Sequence, residues 1–203
     1  MNKIIVDYRI LIGFIIAHIL MYLTFQDKAT FWYMFTGAML ILISYSILNE
    51  KADVHTTFIK NTFYGILSGF VLFFIFLLGN LTIEFFNIPL KREITGLYRY
   101  FAPSSFWHYL ILFLVIVPGE EIFWRGFIQK RLERKHDVRF AIILSTILYA
   151  SIQIYSGYII HIIAALFGGI FWGALYSWKR SIRINIISHI VFSVCLFILF
   201  PFR

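Results

Sequence analysis

The chain has 203 residues, of which 61% are hydrophobic and only 14% are charged. A soluble domain carries about a quarter charged residues, so this composition excludes an ordinary water-soluble domain and favours a chain that lies in a bilayer. The formal net charge of +8 would also suit a nucleic-acid partner. Most Lys and Arg residues, however, lie in short gaps between apolar runs, where they orient a membrane protein. We therefore expect the bilayer, and no nucleic acid, as a partner.

Seven apolar runs reach or approach the length of about 20 residues that a helix needs to cross a bilayer. They are residues 10–25, 31–48, 63–82, 107–129, 140–155, 158–178 and 184–202. No stretch alternates apolar and polar residues as the strands of a membrane barrel do. The prediction is an all-α polytopic bundle of seven to eight transmembrane helices. Since no Gly-, Pro- or Ser-rich linker divides the chain, we expect a single transmembrane domain over residues 1–203.

The longest segment between the runs covers residues 84–105 and contains Pro89, Pro103 and the charged cluster Lys91-Arg92-Glu93. An interfacial amphipathic helix and a solvated loop are both compatible with this composition. We expect the loop.

The distribution of Lys and Arg predicts the orientation of the bundle. With the N-terminus in the cytoplasm, the inner side holds twelve cations and the outer side five. The inner set is Lys3, Arg9, Lys51, Lys60, Lys130, Arg131, Arg134, Lys135, Arg139, Lys179, Arg180 and Arg183, and the outer set is Lys28, Lys91, Arg92, Arg99 and Arg203. Cytoplasmic gaps of membrane proteins carry the excess of positive charge. We therefore expect a cytoplasmic N-terminus, and the short loops suggest a bacterial plasma membrane.

The sixth run contains small residues at every fourth position, Ala165, Gly169 and Gly173. This spacing lets a neighbouring helix approach closely in a membrane. The spacing predicts tight helix packing and does not indicate a catalytic role.

Two adjacent carboxylates lie in the middle of the fourth run. Glu120 and Glu121 follow Pro118-Gly119, and Arg125 comes four residues after Glu121. A charged residue at this depth costs a few kcal/mol on insertion scales, which favours a functional role. Glu121 and Arg125 can pair on one helix face, which leaves Glu120 as the candidate general base. A purely structural ion network, in which Arg125 binds both glutamates, remains the alternative.

His189 in the seventh run is the second candidate. Asn185 and Ser193 lie one turn away on either side, so the three side chains share a helix face. Estimated depths place His189 and Glu120 in the same half of the bilayer. His18 and His161 have no acidic neighbours at helical spacing, and we interpret both as packing or interfacial residues.

These residues resemble the motifs of a known family. Residues 120–126 read Glu-Glu-Ile-Phe-Trp-Arg-Gly, similar to the Glu-Glu-x-x-x-Arg motif of the CPBP intramembrane proteases, which include the type II CAAX prenyl endopeptidases and the bacterial Abi proteins. The segment with Gly169, Gly173 and Tyr176 resembles the spaced glycine segment of that family. Residues 185–193 resemble its last motif, His-x-x-x-Asn. The resemblance covers residues 106–193.

The resemblance implies an eight-helix-type membrane fold with a cavity open toward the cytosol. Glu120 would activate a water molecule against a peptide carbonyl, and Glu121 and Arg125 would support that geometry. His189 would position the water or bind the oxyanion. This chemistry requires no cofactor, although a glutamate pair with one histidine could also hold a divalent metal ion weakly.

The chain departs from the family motifs at two positions. Gln153 stands where the second motif has His, four residues after Tyr149, and Ser193 stands where the last motif has Asn. An amide N–H and a hydroxyl can still donate to an oxyanion. Neither can replace an imidazole in proton transfer, and the loss of an assisting histidine would cost a factor of about 10² or more.

The preferred hypothesis is therefore a glutamate-dependent endopeptidase that cleaves a membrane protein or peptide near the cytosolic face. The alternative is a catalytically impaired scaffold that binds a protein partner. The substitutions at Gln153 and Ser193 favour the scaffold, whereas the retained buried charges favour the protease, since apolar replacement of such charges is often neutral or stabilising. A proton-coupled transporter ranks third, because the sequence contains no inverted repeat.

Overall fold

The computed structural model describes residues 7–51 and 58–202, with side chains of the second range from residue 62 onward. Within these residues all regular secondary structure is helical. The helices, in chain order, are α1 (Tyr8–Gln26), α2 (Phe31–Asn49), α3 (Phe58–Phe85), α4 (Lys91–Phe101), α5 (Phe106–Glu133), α6 (Val138–Ser156), α7 (Ile159–Lys179) and α8 (Ile182–Leu199).

The prediction of an all-α polytopic bundle is confirmed. Six of the described helices are long and apolar enough to cross a membrane, and α4 with α5 forms a seventh candidate span that is bent by 100°. Each predicted run coincides with one long helix. The protein is an integral membrane protein.

The expectation of a solvated loop over residues 84–105 was wrong, because α4 occupies most of that segment. Apolar side chains recur on α4 at the helical spacing of Ile94, Leu97, Tyr98 and Phe101, and these four side chains line an internal cavity. Charged residues fill the opposite face, as in an interfacial amphipathic helix. The helix ends one residue before Ala102-Pro103, since the residue before a proline disfavours helical geometry.

Helix α5 is irregular around its centre. Two π-helical stretches, Leu112–Ile116 and Ile122–Gln129, flank a short α-helical turn, Val117–Glu121. Pro118 lacks the N–H that an α-helix would use there, and wider turns are a common accommodation. The turn places Glu120 near the middle of a span of 28 residues, about 20 Å from either end at the rise of an α-helix.

Small residues allow the predicted close helix contacts. A Cβ atom built on Gly169 of α7 would lie 2.7 Å from Thr146 of α6, which is too close for an ordinary contact. The same device recurs between α3 and α8, where a Cβ on Gly69 would lie 2.6 Å from the carbonyl oxygen of Ser188. Gly169 thus accommodates a side chain of the neighbouring helix, and Gly69 accommodates its backbone, so both glycines permit close helix packing.

An ion network closes the end of the bundle that carries most of the cations. Arg131 of α5 contacts Asp7 at 2.9 Å and Glu50 at 3.0 Å, and Arg134 contacts Glu50 at 2.5 Å. These pairs join the start of α1, the end of α2 and the end of α5. We call the end of the bundle that carries this network the basic end. Of the cations used to predict orientation, Lys3, Arg203 and the side chain of Lys60 lie outside the described residues.

Replacement of Glu50 tests the strength of this network. Burial raises the pKa of the Glu50 carboxyl, but hydrogen bonds and charge from Arg134, with the charges of Lys130 and Arg131, outweigh it and leave the pKa below 4.5. The carboxylate therefore stabilises the fold above its ordinary pKa, and the contribution disappears as the pH falls through the lower folded value.

We expect Glu50→Gln to lower the free energy of unfolding by about 1 to 3 kcal/mol at pH 7 and to have a smaller effect at a second pH well below 4.5, because the stabilising contribution falls as the carboxylate is protonated. Thermal unfolding of the detergent-purified protein at both pH values measures this. Glu84→Gln, which removes a more exposed pair with Lys91, is the matched control and should change stability little. Equal losses at both pH values would contradict the electrostatic explanation.

The orientation can be tested with introduced cysteines, because the native Cys195 is buried and 1% exposed. Thr95 on α4 and His136 between α5 and α6 are exposed and lie at opposite ends of the bundle. We expect an impermeant maleimide added to intact cells to label Thr95→Cys and to leave His136→Cys unlabelled until the membrane is opened. The reverse pattern would show that the basic end faces outward.

Candidate active site

Glu121 is completely buried and fully partnered. Its carboxylate accepts hydrogen bonds from Arg125 at 3.3 Å, from the Asn185 amide at 3.1 Å and from His189 Nδ1 at 2.9 Å. The predicted pairing of Glu121 and Arg125 is thus present. The guanidinium of Arg125 also lies 4.8 Å from the ring centre of Tyr149, a cation–π distance. These contacts join α5 to α6 and α8.

His189 is held on two sides. Because a carboxylate only accepts hydrogen bonds, the bond to Glu121 places a proton on Nδ1. The imidazole stacks on Trp172 of α7 with 3.8 Å between the ring centres, and the indole N–H of Trp172 donates to Ser188 at 3.2 Å. The remaining nitrogen, Nε2, lies 3.8 Å from Glu120 Oε2. His189 is therefore oriented by Glu121 and presents Nε2 to Glu120.

Glu120 differs from its neighbour because it faces a cavity. It is 7% exposed, and its other carboxylate oxygen lies 3.5 Å from the hydroxyl of Tyr149, at the limit of a hydrogen bond. The hydrogen bond from Arg125 goes to Glu121. The structural alternative in which Arg125 binds both glutamates therefore does not describe the hydrogen bonding.

Four of the predicted site residues line one cavity: Glu120, Gln153, His189 and Ser193. Gln153 is 2% exposed and Ser193 is 3% exposed, and the side-chain oxygen of Gln153 has no hydrogen-bond partner. Glu121, with its contacts to Arg125, lies behind this group and is 0% exposed. The cavity thus presents one carboxylate, one imidazole, one amide and one hydroxyl to a bound molecule.

The cavity has a volume of about 430 Å³ and is mostly apolar. It extends from Glu120 toward the end of the bundle where α4 lies, away from the basic end. The sequence predicts a cytoplasmic basic end, whereas the family resemblance implies a cavity open to the cytosol. Because the cavity extends away from the basic end, a cytoplasmic basic end and a cavity open to the cytosol cannot both be correct.

Two supporting residues escaped the sequence analysis. The sequence marks Tyr149 only as the aromatic residue of a motif, and Trp172 only as one residue within the glycine segment. Trp172 adjoins Gly173, whose lack of a side chain lets α7 approach Gln129 of α5. An aromatic residue beside a close-packing glycine was the available signal. His18, in contrast, makes interhelical hydrogen bonds to α6, in line with its interpretation as a packing residue.

Metal ligation was left open by the sequence. Among residues 7–51 and 58–202, no cluster of three or more His, Cys, Asp or Glu side chains is arranged to hold a metal ion. The carboxylate of Glu121 instead accepts hydrogen bonds from nitrogen atoms of Arg125, Asn185 and His189.

Residues 102–195 match the family described as type II CAAX prenyl endopeptidase Rce1-like, a family of proteases. No curated protein and no solved structure matches the chain. The matched segment contains the cavity carboxylate and its partners but begins after α4. The expected relationship to the CPBP proteases is thereby confirmed for the part of the chain that carries the site, residues 102–195, which is similar to the type II CAAX prenyl endopeptidase Rce1-like family.

Proposed function

We propose that the protein is a glutamate-dependent intramembrane endopeptidase that cleaves a membrane-associated protein or peptide. The observation that best supports this is that two adjacent carboxylates have different surroundings. Glu121 is saturated with donors, whereas Glu120 lines a cavity beside an oriented imidazole. A buried carboxylate without a cation of its own is suited to accept a proton.

The distance between Glu120 and His189 suits a shared water molecule. Oxygen Oε2 and nitrogen Nε2 are 3.8 Å apart, so one water can lie at about 2.8 Å from each. Glu120 would take a proton from this water as the oxygen adds to the scissile carbonyl. The proton would then pass to the nitrogen of the departing amine, which releases a new N-terminus and a new carboxyl group.

The negative charge that develops on the carbonyl oxygen needs donors in the same cavity. The amide of Gln153 and the hydroxyl of Ser193 are both available for this role. His189 would contribute by holding the water or by donating to the oxyanion once it is protonated. This reaction uses side chains alone, so no cofactor is required.

The depth in the membrane at which the substrate would be cleaved depends on the orientation of the bundle. We propose a cytoplasmic N-terminus in a bacterial plasma membrane, on the basis of the cations at the basic end. Glu120 lies near the middle of α5, and the cavity extends from it toward α4. We therefore propose cleavage within the membrane at the level of Glu120, with the substrate chain lying in the cavity between Glu120 and α4.

The scaffold remains the second candidate, and Gln153 is the observation that favours it. A cavity without the second imidazole could retain a partner peptide without cutting it. The side-chain oxygen of Gln153 has no partner and would accept a hydrogen bond from such a peptide. Loss of cleavage in a variant that still folds decides between the two functions.

The two glutamates should respond differently to amidation. We expect Glu120→Gln to abolish cleavage with little change in stability, because Glu120 has only one distant hydrogen-bond contact. Glu121→Gln should destabilise the fold by about 3 to 5 kcal/mol, because it leaves the buried Arg125 without its carboxylate.

Cleavage can be measured in liposomes that contain the purified protein and a mixture of apolar peptides, with new peptide termini identified by mass spectrometry. Thermal unfolding of the same preparations reports stability. Full activity of Glu120→Gln would eliminate the protease mechanism. Equal destabilisation by both substitutions would instead indicate a common structural network.

Gln153 provides a separate test of oxyanion stabilisation. We expect Gln153→Leu to lower kcat by about 10²-fold, the usual cost of one lost donor. Gln153→His should raise the rate by up to about 10²-fold if an imidazole there assists the base. Ile154→Leu, an exposed neighbour, is the control and should leave the rate unchanged. Retention of the full rate by Gln153→Leu would exclude a role for this amide.

A further inference from the structure

The cavity is much larger than the reaction centre at its inner end. Its remaining walls come mainly from the second half of α3, the first half of α7 and the apolar face of α4. No Lys or Arg is among the described residues that line it, and Glu120 is the one carboxylate there. The cavity therefore suits an uncharged chain rather than an anionic end group such as a phosphate.

Helices α3 and α7 are in contact near the basic end and both form cavity walls toward α4. Near the basic end, the ring of Tyr64 on α3 lies 5.6 Å from the ring of Trp178 on α7. Farther along, Ile75 of α3 and Phe167 of α7 both line the cavity, yet they are 42% and 58% exposed. These two side chains therefore reach both the cavity and the membrane-facing surface of the bundle.

Each of these two walls carries a polar side chain with an atom that has no partner. Asn80 of α3 is 8% exposed, and its side-chain oxygen accepts no hydrogen bond. The side-chain amide donates to Glu84, which leaves that oxygen for another donor. His161 of α7 lines the same cavity, and its Nδ1 is buried without a partner. Buried polar atoms without partners are rare, and each calls for a partner such as a bound ligand, an ion or a water molecule.

Helix geometry places the two side chains at similar distances from the reaction centre, measured along their own helices. Gly69 of α3 contacts Ser188, the neighbour of His189, and Asn80 follows eleven residues later, about 16 Å along the helix. Trp172 of α7 stacks on His189, and His161 precedes Trp172 by eleven residues, again about 16 Å. An extended peptide covers this distance with about five residues.

We propose that Asn80 and His161 form a second binding subsite, which hydrogen-bonds the backbone of an extended substrate about five residues from the scissile bond. This proposal rests on the proposed function. A segment that leaves its helix inside a membrane exposes N–H and C=O groups that lipid cannot satisfy. The Asn80 oxygen accepts a backbone N–H, and His161 Nδ1 bonds a neighbouring peptide group. The substrate chain therefore continues well past the cleaved bond.

The subsite can be tested by peptide binding to the Glu120→Gln protein in detergent. The probes are acetylated and amidated peptides of alternating Ala and Leu, three to eight residues long, each with a dansyl group. Energy transfer from Trp32 and Trp172, which line the cavity, reports binding. A dansyl alkylamide of matched length is the probe without a peptide backbone.

We expect affinity to rise about fivefold to tenfold between four and six residues, the usual gain from one or two hydrogen bonds. Asn80→Leu and His161→Phe should each reduce this rise, and neither should weaken the binding of three-residue peptides. Thr82→Leu, an exposed neighbour on α3, is the control and should keep the rise. The alkylamide should bind equally to all four proteins.

Two results would overturn the subsite. In one, affinity grows smoothly with length and is the same in Asn80→Leu and His161→Phe. In the other, the alkylamide binds as tightly as the long peptides, and Asn80→Leu strengthens both, which would assign the cavity to a hydrocarbon chain. Failure of the proposed function looks different, because the unmodified protein would then cleave none of the peptides and Glu120→Gln would change nothing.

Discussion

The site depends on the hydrogen bonds that saturate Glu121. Arg125, Asn185 and His189 all donate to this one carboxylate, so a single side chain connects the middle of α5 to α8. The desolvation of a buried charge is offset only when such partners are complete. Because Glu121 satisfies the local cations, Glu120 is left to face the cavity. Glu120 is therefore available to a bound molecule because Glu121, the next residue, makes the structural contacts.

Much of the membrane architecture was predictable, because it depends on local composition. Apolar run length determines the spans, and the i, i+4 spacing determines the pair of Glu121 and Arg125. The order of the motifs indicated the family. Helix α4 was missed because an amphipathic interfacial helix and a polar loop contain similar residues, and the burial of Ile94 is what distinguishes them.

The cavity could not be predicted, because it arises from the relative positions of separate helices. Its direction follows from the contact of α3 and α7 near one end and their separation around the cavity near the other. His161 illustrates the difficulty: nothing within its own helix marks it, and we interpreted it as a packing residue. Its unpartnered nitrogen becomes significant only beside Asn80, which lies 81 positions earlier in the chain.

The polar contacts below the site have a consequence for turnover. Gln129 is 0% exposed and bonds Glu133, Ser177 and the carbonyl of Gly173, so α5 and α7 are joined between the reaction centre and the basic end. The residues that line the cavity lie between Glu120 and α4, on the other side of these contacts from the basic end. Under the proposed function, both fragments would leave through the entrance that admitted their parent, and a slowly leaving fragment would obstruct the next molecule. Turnover would then depend on how fast the cleaved chains return to the lipid.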